Sequence, residues 1–237
     1  MLDLAVVGIA QWLPRPGDAA GNLAAALDLI AELGRRRCDL ILLPELWPSG
    51  YSPKSLADDV AGSAEPLDGP RTAALAHAAA SAGAWLAAGS VPERDGADIY
   101  NTAVLFGRDG ELRGVHRKAH LYAPLGEDLI FAAGPRLTVC PTEDFGPLGL
   151  PVCFDGDFPE TARALRLAGA RVIVQASAYE AGGRELVGRA VPGPGPGERP
   201  VVGDVESVRP DPLGRAAGRQ PDHLAARPGG QPGREGP

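Results

Sequence analysis

Lysine is scarce in this sequence. Lys54 and Lys118 are the only lysines in a chain of 237 residues, although lysine and arginine together number 23. Arginine therefore supplies the general surface charge, and a lysine that follows a predicted strand indicates a compact ammonium group with a chemical function. The alternative for Lys118 is a solvated charge without a special role.

The sequence also lacks an excess of positive charge and a long apolar segment. Its formal net charge is −7 at pH 7, which argues against nucleic acid or an anionic membrane as a partner. No stretch approaches the roughly 20 apolar residues of a membrane helix. A hydrophobic content of 44% is ordinary for one domain with a sizeable core. We therefore expect chemistry on a small molecule.

Cysteine is sparse, and no secretory signal is visible. The chain has three cysteines, and its N-terminal residues show no basic start, apolar core and cleavage site. Together these features predict a cytoplasmic protein with free thiols. A cysteine at the end of an apolar strand is usually a small buried hydrophobe, which is the prediction for Cys38 and Cys140.

Aromatic residues are absent from the C-terminal part. From residue 182 onward there is no Phe, Trp, Tyr, Ile or Lys, and Gly, Pro and Arg dominate. Because no apolar periodicity survives there, we predict one domain over residues 1–180 and a tail over residues 181–237 that does not pack. The tail is either disordered or the product of a shifted reading frame, since GC-only codons specify Gly, Pro, Ala and Arg.

Apolar runs alternate with Ala/Leu-rich amphipathic stretches along residues 1–180, which predicts a layered α/β fold. Asp109 and Gly110 lie between two apolar runs and predict a hairpin turn, so the sheets are expected to be mixed. Pro151 indicates a strand end. The predicted strands span residues 4–9, 40–43, 85–91, 103–107, 114–116 and 171–177, and the predicted helices span residues 19–34, 71–82 and 159–169.

Three predicted strands end in residues of complementary chemistry. Glu45 follows the apolar run 39–44, Lys118 follows the strand at 114–116, and Cys153 stands between an apolar run and a predicted helix. Active sites of layered α/β proteins gather at strand ends, so a base, a cation and a thiol could converge there. The strand-to-helix turn is expected to make the thiol ionise more easily and to offer backbone N–H groups to an oxyanion.

Other polar residues near these strand ends have simpler explanations. His116 and His120 flank Lys118, but two ligands without a third acid or thiol at suitable spacing make poor zinc chemistry. Both are therefore predicted to be structural, and no metal or cofactor is expected. Asn101 is predicted to have a packing role, and a strand-end charge is the alternative for Glu45.

Four stretches resemble the nitrilase-like carbon–nitrogen hydrolases, and the resemblance runs from the first strand to about residue 180. Each is weak alone, but their order and spacing together are specific. The resemblance implies an α-β-β-α sandwich that is incomplete at its C-terminal end, because similar proteins continue there with more strands and a helix. The four stretches are residues 42–46 (Leu-Leu-Pro-Glu-Leu) with Gly50 and Tyr51, residues 100–103 (Tyr-Asn-Thr-Ala), residues 117–122 (Arg-Lys-Ala-His-Leu-Tyr) and residues 153–160 (Cys-Phe-Asp-Gly-Asp-Phe-Pro-Glu).

The resemblance also implies a catalytic set. It places a Glu–Lys–Cys triad at Glu45, Lys118 and Cys153, with Glu127 as a supporting glutamate. The chemistry of these residue types predicts that Lys118 and the backbone N–H of Phe154 stabilise the oxyanion. The implied reaction is hydrolysis of a small amide or N-carbamoyl compound through a thioester.

Two further expectations concern the walls of the site. Tyr51 and Tyr122 are candidate substrate-binding residues, although aromatic residues that follow a strand belong to the core as often. An exposed turn is the alternative for Glu127, since Gly126 precedes it and Asp128 follows.

The residues after Cys153 favour an amide or ureido substrate. The nitrilase branch proper usually has Trp-Glu at this place, whereas Phe154 and Asp155 are similar to the amidase and carbamoyl-hydrolase branches. Asp157 stands where the family often has Arg, an exchange that could alter an ion pair or repel a carboxylated substrate. The alternatives are a nitrilase that acts on a small nitrile and a catalytically inactive, truncated product.

The tail has consequences for assembly and stability. Without the last strands, one sheet would expose an edge and apolar surface. We therefore expect lower stability than in a complete relative, and the homodimer that is common among similar proteins becomes doubtful.

Overall fold

The computed structural model describes residues 5–178 and the backbone of residues 201–206. Strands and helices alternate through most of the first range, and two short 3-10 helices lie at Ala123–Leu125 and Cys153–Asp157. The strands are β1 (Val7–Ile9), β2 (Leu40–Leu42), β3 (Trp85–Asp95), β4 (Asp98–Phe106), β5 (Leu112–Arg117), β6 (Val139–Cys140), β7 (Leu148–Gly149), β8 (Val172–Ser177) and β9 (Val201–Glu206), and the helices are α1 (Ala19–Arg35), α2 (Leu56–Ser63), α3 (Pro70–Ala82), α4 (Glu127–Ile130) and α5 (Pro159–Leu167).

The strands form two mixed sheets. The first has the order β1-β2-β3-β4-β5, with β1, β2 and β3 parallel and both β4 and β5 antiparallel to their neighbours. The second has the order β6-β7-β8-β9, with β6 antiparallel to β7 and the remaining pairs parallel. The prediction of mixed sheets is therefore confirmed.

The two sheets pack face to face, and helices cover their outer faces. Side chains of β2, β3 and β4 form one apolar layer with Leu148, Val152 and Val174 of the second sheet. On the other side of the first sheet, α1 and α3 contribute to a second layer around Ile30 and Leu75. Helix α5 packs on the outside of the second sheet through Leu165. This arrangement confirms the expected α-β-β-α sandwich.

Strand β2 shows why these runs are apolar on both faces. Leu40 and Leu42 face the opposite sheet, whereas Ile41 faces the layer formed with α1 and α3. A strand buried on both faces has no position that tolerates a polar side chain, so it appears in sequence as a continuous apolar run instead of an alternating one. For the same reason, the charged residue Glu45 lies after the end of β2 and not within it.

The predicted elements agree with the observed ones, with small differences at their ends. The hairpin between β4 and β5 turns at Gly110, whose φ is +81°, and β7 ends before Pro151. Helix α1 continues one residue beyond Gly34, where a Cβ atom would lie 2.8 Å from the Cβ of Ala82. This glycine is thus used for close helix packing and not for termination. The short elements α2, α4 and β6 were not predicted, whereas β7 lies in the apolar run that was expected to end as a strand before Cys153.

One strand lies within the predicted tail. Residues 181–237 were expected not to pack, and β9 within them pairs in parallel with β8 from Val201↔Val172 to Glu206↔Ser177; the domain boundary at residue 180 stays a prediction. Backbone hydrogen bonds alone can add a strand to a sheet edge, and they need no apolar periodicity in sequence. The other residues of the predicted tail lie outside the described part of the chain.

Among the described residues, no helix combines the length and the apolar character needed to cross a membrane.

An ionic cluster closes the end of the sandwich at which β2 and β3 begin. Arg108 donates to Asp39 at 2.9 Å and to Asp144 at 2.7 Å, and Asp144 also accepts from the indole N–H of Trp85 at 3.0 Å. Asp39 precedes β2 and Trp85 opens β3, so this cluster and Glu45 lie at opposite ends of the first sheet.

A bulge in β3 shapes the opposite end, where β2 finishes. Gly89 has φ +64°, and a Cβ atom there would lie 1.9 Å from the carbonyl oxygen of Pro44. The register of β3 and β4 shifts at this point, between Ala87 and Ser90. Only glycine allows the backbone of β3 to approach the residue before Glu45 so closely.

The close contact between Gly89 and Pro44 predicts that alanine destabilises the protein more at Gly89 than at Gly96, which lies in the turn after β3. Gly96 has φ +61° but open space around its Cβ direction, so Gly96→Ala should lose only about 1 kcal/mol of unfolding free energy from backbone strain. Gly89→Ala carries the same strain plus the collision with Pro44, and should cost about 1–3 kcal/mol more. Urea denaturation of both variants measures the difference, and equal losses would contradict this account of the bulge.

Candidate active site

Glu45 is fixed at the end of β2 by β3 and β4. Its neighbour Leu46 has φ +45° and donates its N–H to Ser90 Oγ at 3.0 Å, while the side-chain amide of Asn101 donates to Glu45 Oε1 at 2.9 Å. The carboxyl group is only 1% exposed. The other oxygen, Oε2, has no nitrogen or oxygen partner within the described part of the chain.

Lys118 extends from the end of β5 into the same buried space. Its backbone N–H donates to Asn101 at 2.8 Å, and its carbonyl accepts from Gly134 at 2.8 Å. The ammonium group lies 2.9 Å from Glu45 Oε1 and 2.8 Å from Glu127 Oε2. A fully buried ammonium group between two carboxylates is not a generic surface charge, so the functional interpretation of this lysine is favoured.

Glu127 lies at the first position of α4 and is fully buried. Its Oε1 accepts from the hydroxyl of Tyr51 at 2.8 Å, and its Oε2 accepts from the backbone N–H of Tyr122 at 2.7 Å. Glu127 therefore lies against Lys118, as the resemblance implied. The alternative that Glu127 belongs to an exposed turn is wrong, because its side chain is buried.

Cys153 lies at the start of the 3-10 helix that follows β7. Its backbone φ is +43°, in the left-handed region that residues with a side chain rarely occupy. The residue is 8% exposed and contributes to the layer between the two sheets. A strained backbone at a buried thiol is typical of a functional position.

The thiol and the two charged groups influence one another. Burial raises the pKa of Glu45, against the lowering effects of Lys118 and of a hydrogen bond with the Cys153 thiol. Burial alone would lower the pKa of Lys118, but Glu45, Cys153 and Glu127 outweigh this effect and raise it. The three predicted residues of the triad are therefore in electrostatic contact in one enclosed site.

The expected easy ionisation of the thiol is corrected by the structure. Burial and the negative charge of Glu45 raise the pKa of Cys153 well above its ordinary 9.0, although Lys118 and the backbone of Ala178 act in the opposite direction. The strand-to-helix turn does not compensate for the loss of water around the sulfur. The resting cysteine is thus a thiol, and it would need a base to remove its proton before it could act as a nucleophile.

Asp155 connects the segments that carry the lysine and the cysteine. It is fully buried and accepts from the ring of His116 at 3.0 Å, the ring of His120 at 2.8 Å and the backbone N–H of Val152 at 3.0 Å. The prediction that both histidines are structural agrees with these contacts. In residues 5–178 no group of three His, Cys, Asp or Glu side chains is placed to hold a metal ion.

Aromatic rings cluster at the residue that follows Cys153. The half-buried ring of Phe154 packs against Tyr122 at 5.1 Å and against Phe158 at 5.0 Å between centroids. The hydroxyl of Tyr51 is bound to Glu127. Phe154 and Tyr122 are thus positioned next to Cys153, whereas Tyr51 supports the glutamate. A role of these rings in substrate binding stays a prediction.

Two residues of the site were missed by the sequence analysis. Asn101 was predicted to have a packing role, but its side chain donates a hydrogen bond to Glu45. Its position in the stretch 100–103, which resembles the family, could have indicated a role in the site. Ser90 holds the backbone after Glu45 and belongs to no stretch that sequence alone singled out. A polar residue inside an apolar strand run is the only trace that it leaves in sequence.

Several known proteins are similar to this chain. Chloroplastic omega-amidase of Arabidopsis thaliana is 32% identical over 183 residues, which cover 73% of this chain and 48% of the relative. A Pseudomonas protegens protein named "Hydrolase in pqqF 5'region" is 38% identical over 170 residues, covering 71% and 57%. Omega-amidase NIT2 of Xenopus tropicalis is 30% identical over 180 residues, covering 73% and 63%. This chain thus spans about half to three fifths of the length of these curated relatives.

Solved structures show the same fold and family. A CN-hydrolase superfamily protein of Xanthomonas campestris matches with a TM-score of 0.74 and 26% identity over 90% of this chain and 79% of that one. The NitN amidase of Nesterenkonia matches with a TM-score of 0.66 and 28% identity over 77% and 70%. The family model described as "Carbon-nitrogen hydrolase" matches residues 3–189, and the chain therefore belongs to the carbon-nitrogen hydrolase family.

Proposed function

We propose that this protein hydrolyses a non-peptide carbon–nitrogen bond in a small linear amide or N-carbamoyl compound, with the thiol of Cys153 as nucleophile. The observation that carries the proposal is the buried cluster in which Lys118 lies 2.9 Å from Glu45 and in which both groups interact with the Cys153 thiol. A base, a cation and a nucleophile in one dry site are the requirements of acyl transfer.

The choice of an amide is supported by the relatives. Two of the similar proteins are named omega-amidases, and the Nesterenkonia protein is named an amidase. In the structure of a mutant of the Nesterenkonia amidase, 27% identical to this chain, acrylamide has undergone Michael addition at the active-site cysteine. A cysteine that reacts with a small amide-bearing compound in that protein supports the same nucleophile here.

The first half of the reaction forms a thioester. Glu45 Oε2, which has no nitrogen or oxygen partner in the described residues, accepts the proton of Cys153 as the sulfur attacks the carbonyl carbon. The negative charge that develops on the carbonyl oxygen is stabilised by the Lys118 ammonium group and the Phe154 backbone N–H. Glu45 then returns the proton to the nitrogen, the carbon–nitrogen bond breaks, and ammonia or an amine leaves.

The second half consumes the thioester. A water molecule takes the place of the released amine, Glu45 accepts one of its protons, and the oxygen attacks the thioester carbon. The carbon–sulfur bond breaks, the proton returns to the sulfur, and the acid product leaves. Each proton thus moves between Glu45, Cys153, the substrate and water.

Glu127 has a supporting role in this scheme. Its two oxygens hold Lys118, the Tyr51 hydroxyl and the Tyr122 backbone, so its charge is fully used for positioning. Glu45 Oε1 accepts from Asn101 and Lys118, whereas Oε2 has no nitrogen or oxygen donor among the described residues. Glu45 is therefore the carboxylate that can exchange protons in this scheme. A cytoplasmic location is part of the proposal, because the reaction requires a reduced thiol; the three cysteines of the described residues are free.

Removal of the nucleophile should abolish turnover without loss of the fold. Cys153→Ala is expected to release no ammonia from short amides above background, while its circular dichroism spectrum stays that of the parent. Cys38→Ala is the matched control, since Cys38 is also a buried free thiol but lies in the helix-facing core. Ammonia release that survives in Cys153→Ala would refute the assignment, and release from nitriles but not amides would favour a nitrilase.

The two lysines of the chain provide a second matched pair. Lys118→Met removes the cation from the site and should lower kcat by about 10²–10³-fold, the usual effect of losing one oxyanion donor. It also leaves Glu45 and Glu127 buried without their counter-charge. Lys54 is exposed, so Lys54→Met should keep the parent kcat. Steady-state kinetics on samples shown to be folded decide the matter, and equal kcat values for both variants would contradict the role of Lys118.

The raised pKa of Glu45 predicts the acid limb of the pH profile. The base must be ionised to accept a proton, so kcat/KM should fall with decreasing pH at a midpoint above 4.5, the ordinary value for this carboxyl group. Asn101→Leu removes a hydrogen bond that favours the charged form and should move this midpoint further up. The measurement is kcat/KM for one amide from pH 4 to pH 9, and a midpoint at or below 4.5 would count against Glu45 as the base.

A further inference from the structure

We propose that Asp155 is a positioning residue that joins the segment carrying Lys118 to the turn carrying Cys153, and that it thereby holds the thiol beside its base and its cation. The inference rests on the proposed function for its effect on turnover. The contacts on which it stands are independent of substrate.

One oxygen of Asp155 binds the segment that follows Lys118. Oδ1 accepts from the backbone N–H of Ala119 at 3.2 Å and of His120 at 2.8 Å, and from His120 Nδ1 at 2.8 Å. Both backbone donors lie within two residues of Lys118. The position of the lysine backbone is therefore tied to this carboxylate.

The other oxygen binds β5 and the residue before the nucleophile. Oδ2 accepts from His116 Nε2 at 3.0 Å and from the backbone N–H of Val152 at 3.0 Å. The backbone N–H of Asp155 in turn donates to the carbonyl of Val152 at 2.9 Å. These two reciprocal bonds enclose Cys153, the residue at φ +43°. They supply the local restraint that a strained backbone conformation needs.

The five hydrogen bonds require an ionised carboxylate. Three of the partners are backbone N–H groups, which can only donate, and an ionised Asp155 then accepts from the ring nitrogens of His116 and His120 when these carry a hydrogen. Burial alone would raise the pKa of Asp155, but the bonds from His116, Val152 and His120 outweigh it and hold the pKa low. An asparagine of the same shape presents an NH₂ group to at least one of these donors.

The bonds of Asp155 also cross between the two sheets of the sandwich. His116 belongs to β5 in the first sheet, and Val152 forms a bridge with Ala176 of β8 in the second. Lys118 comes from the first sheet and Cys153 from the loop after β7 of the second. Asp155 accepts from the backbone of both segments, so it restrains how the thiol and the ammonium group face each other.

The test compares Asp155→Asn with Asp144→Asn. Asp144 also accepts two side-chain hydrogen bonds that connect distant segments, but at the opposite end of the first sheet. Two measurements are made on each folded variant: kcat and KM for a short amide, and the pH dependence of Cys153 alkylation by iodoacetamide, followed by mass spectrometry of the Cys153 peptide. The second measurement needs no turnover, so it separates failure of this inference from failure of the proposed function.

For Asp155→Asn we expect kcat to fall about 10²-fold, as for a reacting group displaced by about 1 Å, with KM changed less than about threefold. The alkylation midpoint should move down toward the ordinary thiol value of 9.0, because the sulfur leaves its buried place beside Glu45. Asp144→Asn should lower stability and leave kcat and the midpoint unchanged. A folded Asp155→Asn variant with the parent alkylation midpoint would overturn the inference.

A second pair of variants applies if Asp155→Asn does not fold. His116→Gln keeps an N–H donor toward Asp155 Oδ2, whereas His116→Leu removes it. We expect His116→Leu to show the lowered alkylation midpoint and His116→Gln to restore the parent value. Parent-like alkylation in His116→Leu would overturn the positioning role, since the bond between β5 and Asp155 would then have no effect on the thiol.

Discussion

The site depends on one buried ammonium group held between two buried carboxylates. Lys118 contacts Glu45 and Glu127 at 2.8–2.9 Å, and none of the three groups has more than 1% of its surface exposed. Removing these charges from water is costly, and only their mutual attraction and further hydrogen bonds offset that cost. Tyr51, Tyr122 and Asn101 supply those bonds. Burial and the negative charge of Glu45 raise the pKa of the neighbouring Cys153 thiol, which therefore retains its proton.

The scaffold brings these groups together because each follows the end of a strand. Strand β2 and the run before Cys153 are buried and hold no charge within their length, whereas Lys118 follows the partly exposed edge strand β5. Glu45 and Lys118 come from the first sheet and Cys153 from the second, so the alignment of the two sheets determines the geometry of the site. The Gly89 bulge shapes the first sheet beside Glu45, and Asp155 connects the two sheets near the reacting atoms.

Much of this could be predicted from sequence, and the exceptions have a common physical origin. Apolar runs predicted the longer strands, the Asp-Gly pair predicted the hairpin between β4 and β5, and the scarcity of lysine indicated a function for Lys118. The pKa of Cys153 was predicted in the wrong direction because a strand-to-helix turn is a local signal, whereas burial depends on the opposite sheet. Asn101 and Ser90 were missed for the same reason, since their partners lie 56 and 44 residues away in sequence. Strand β9 was missed because its pairing uses the backbone alone.

The protonated state of the thiol constrains how the chemistry can proceed. A cysteine paired with a protonated histidine rests as a thiolate, since the two charges neutralise each other. Here Lys118 already neutralises carboxylates, and a thiolate would add a second uncompensated charge to a buried cluster. In the proposed reaction the proton therefore leaves the sulfur only as the new bond to carbon forms and the negative charge passes to the substrate oxygen. That coupling gives Glu45, which is hydrogen-bonded to the thiol, the role of base in both proposed halves.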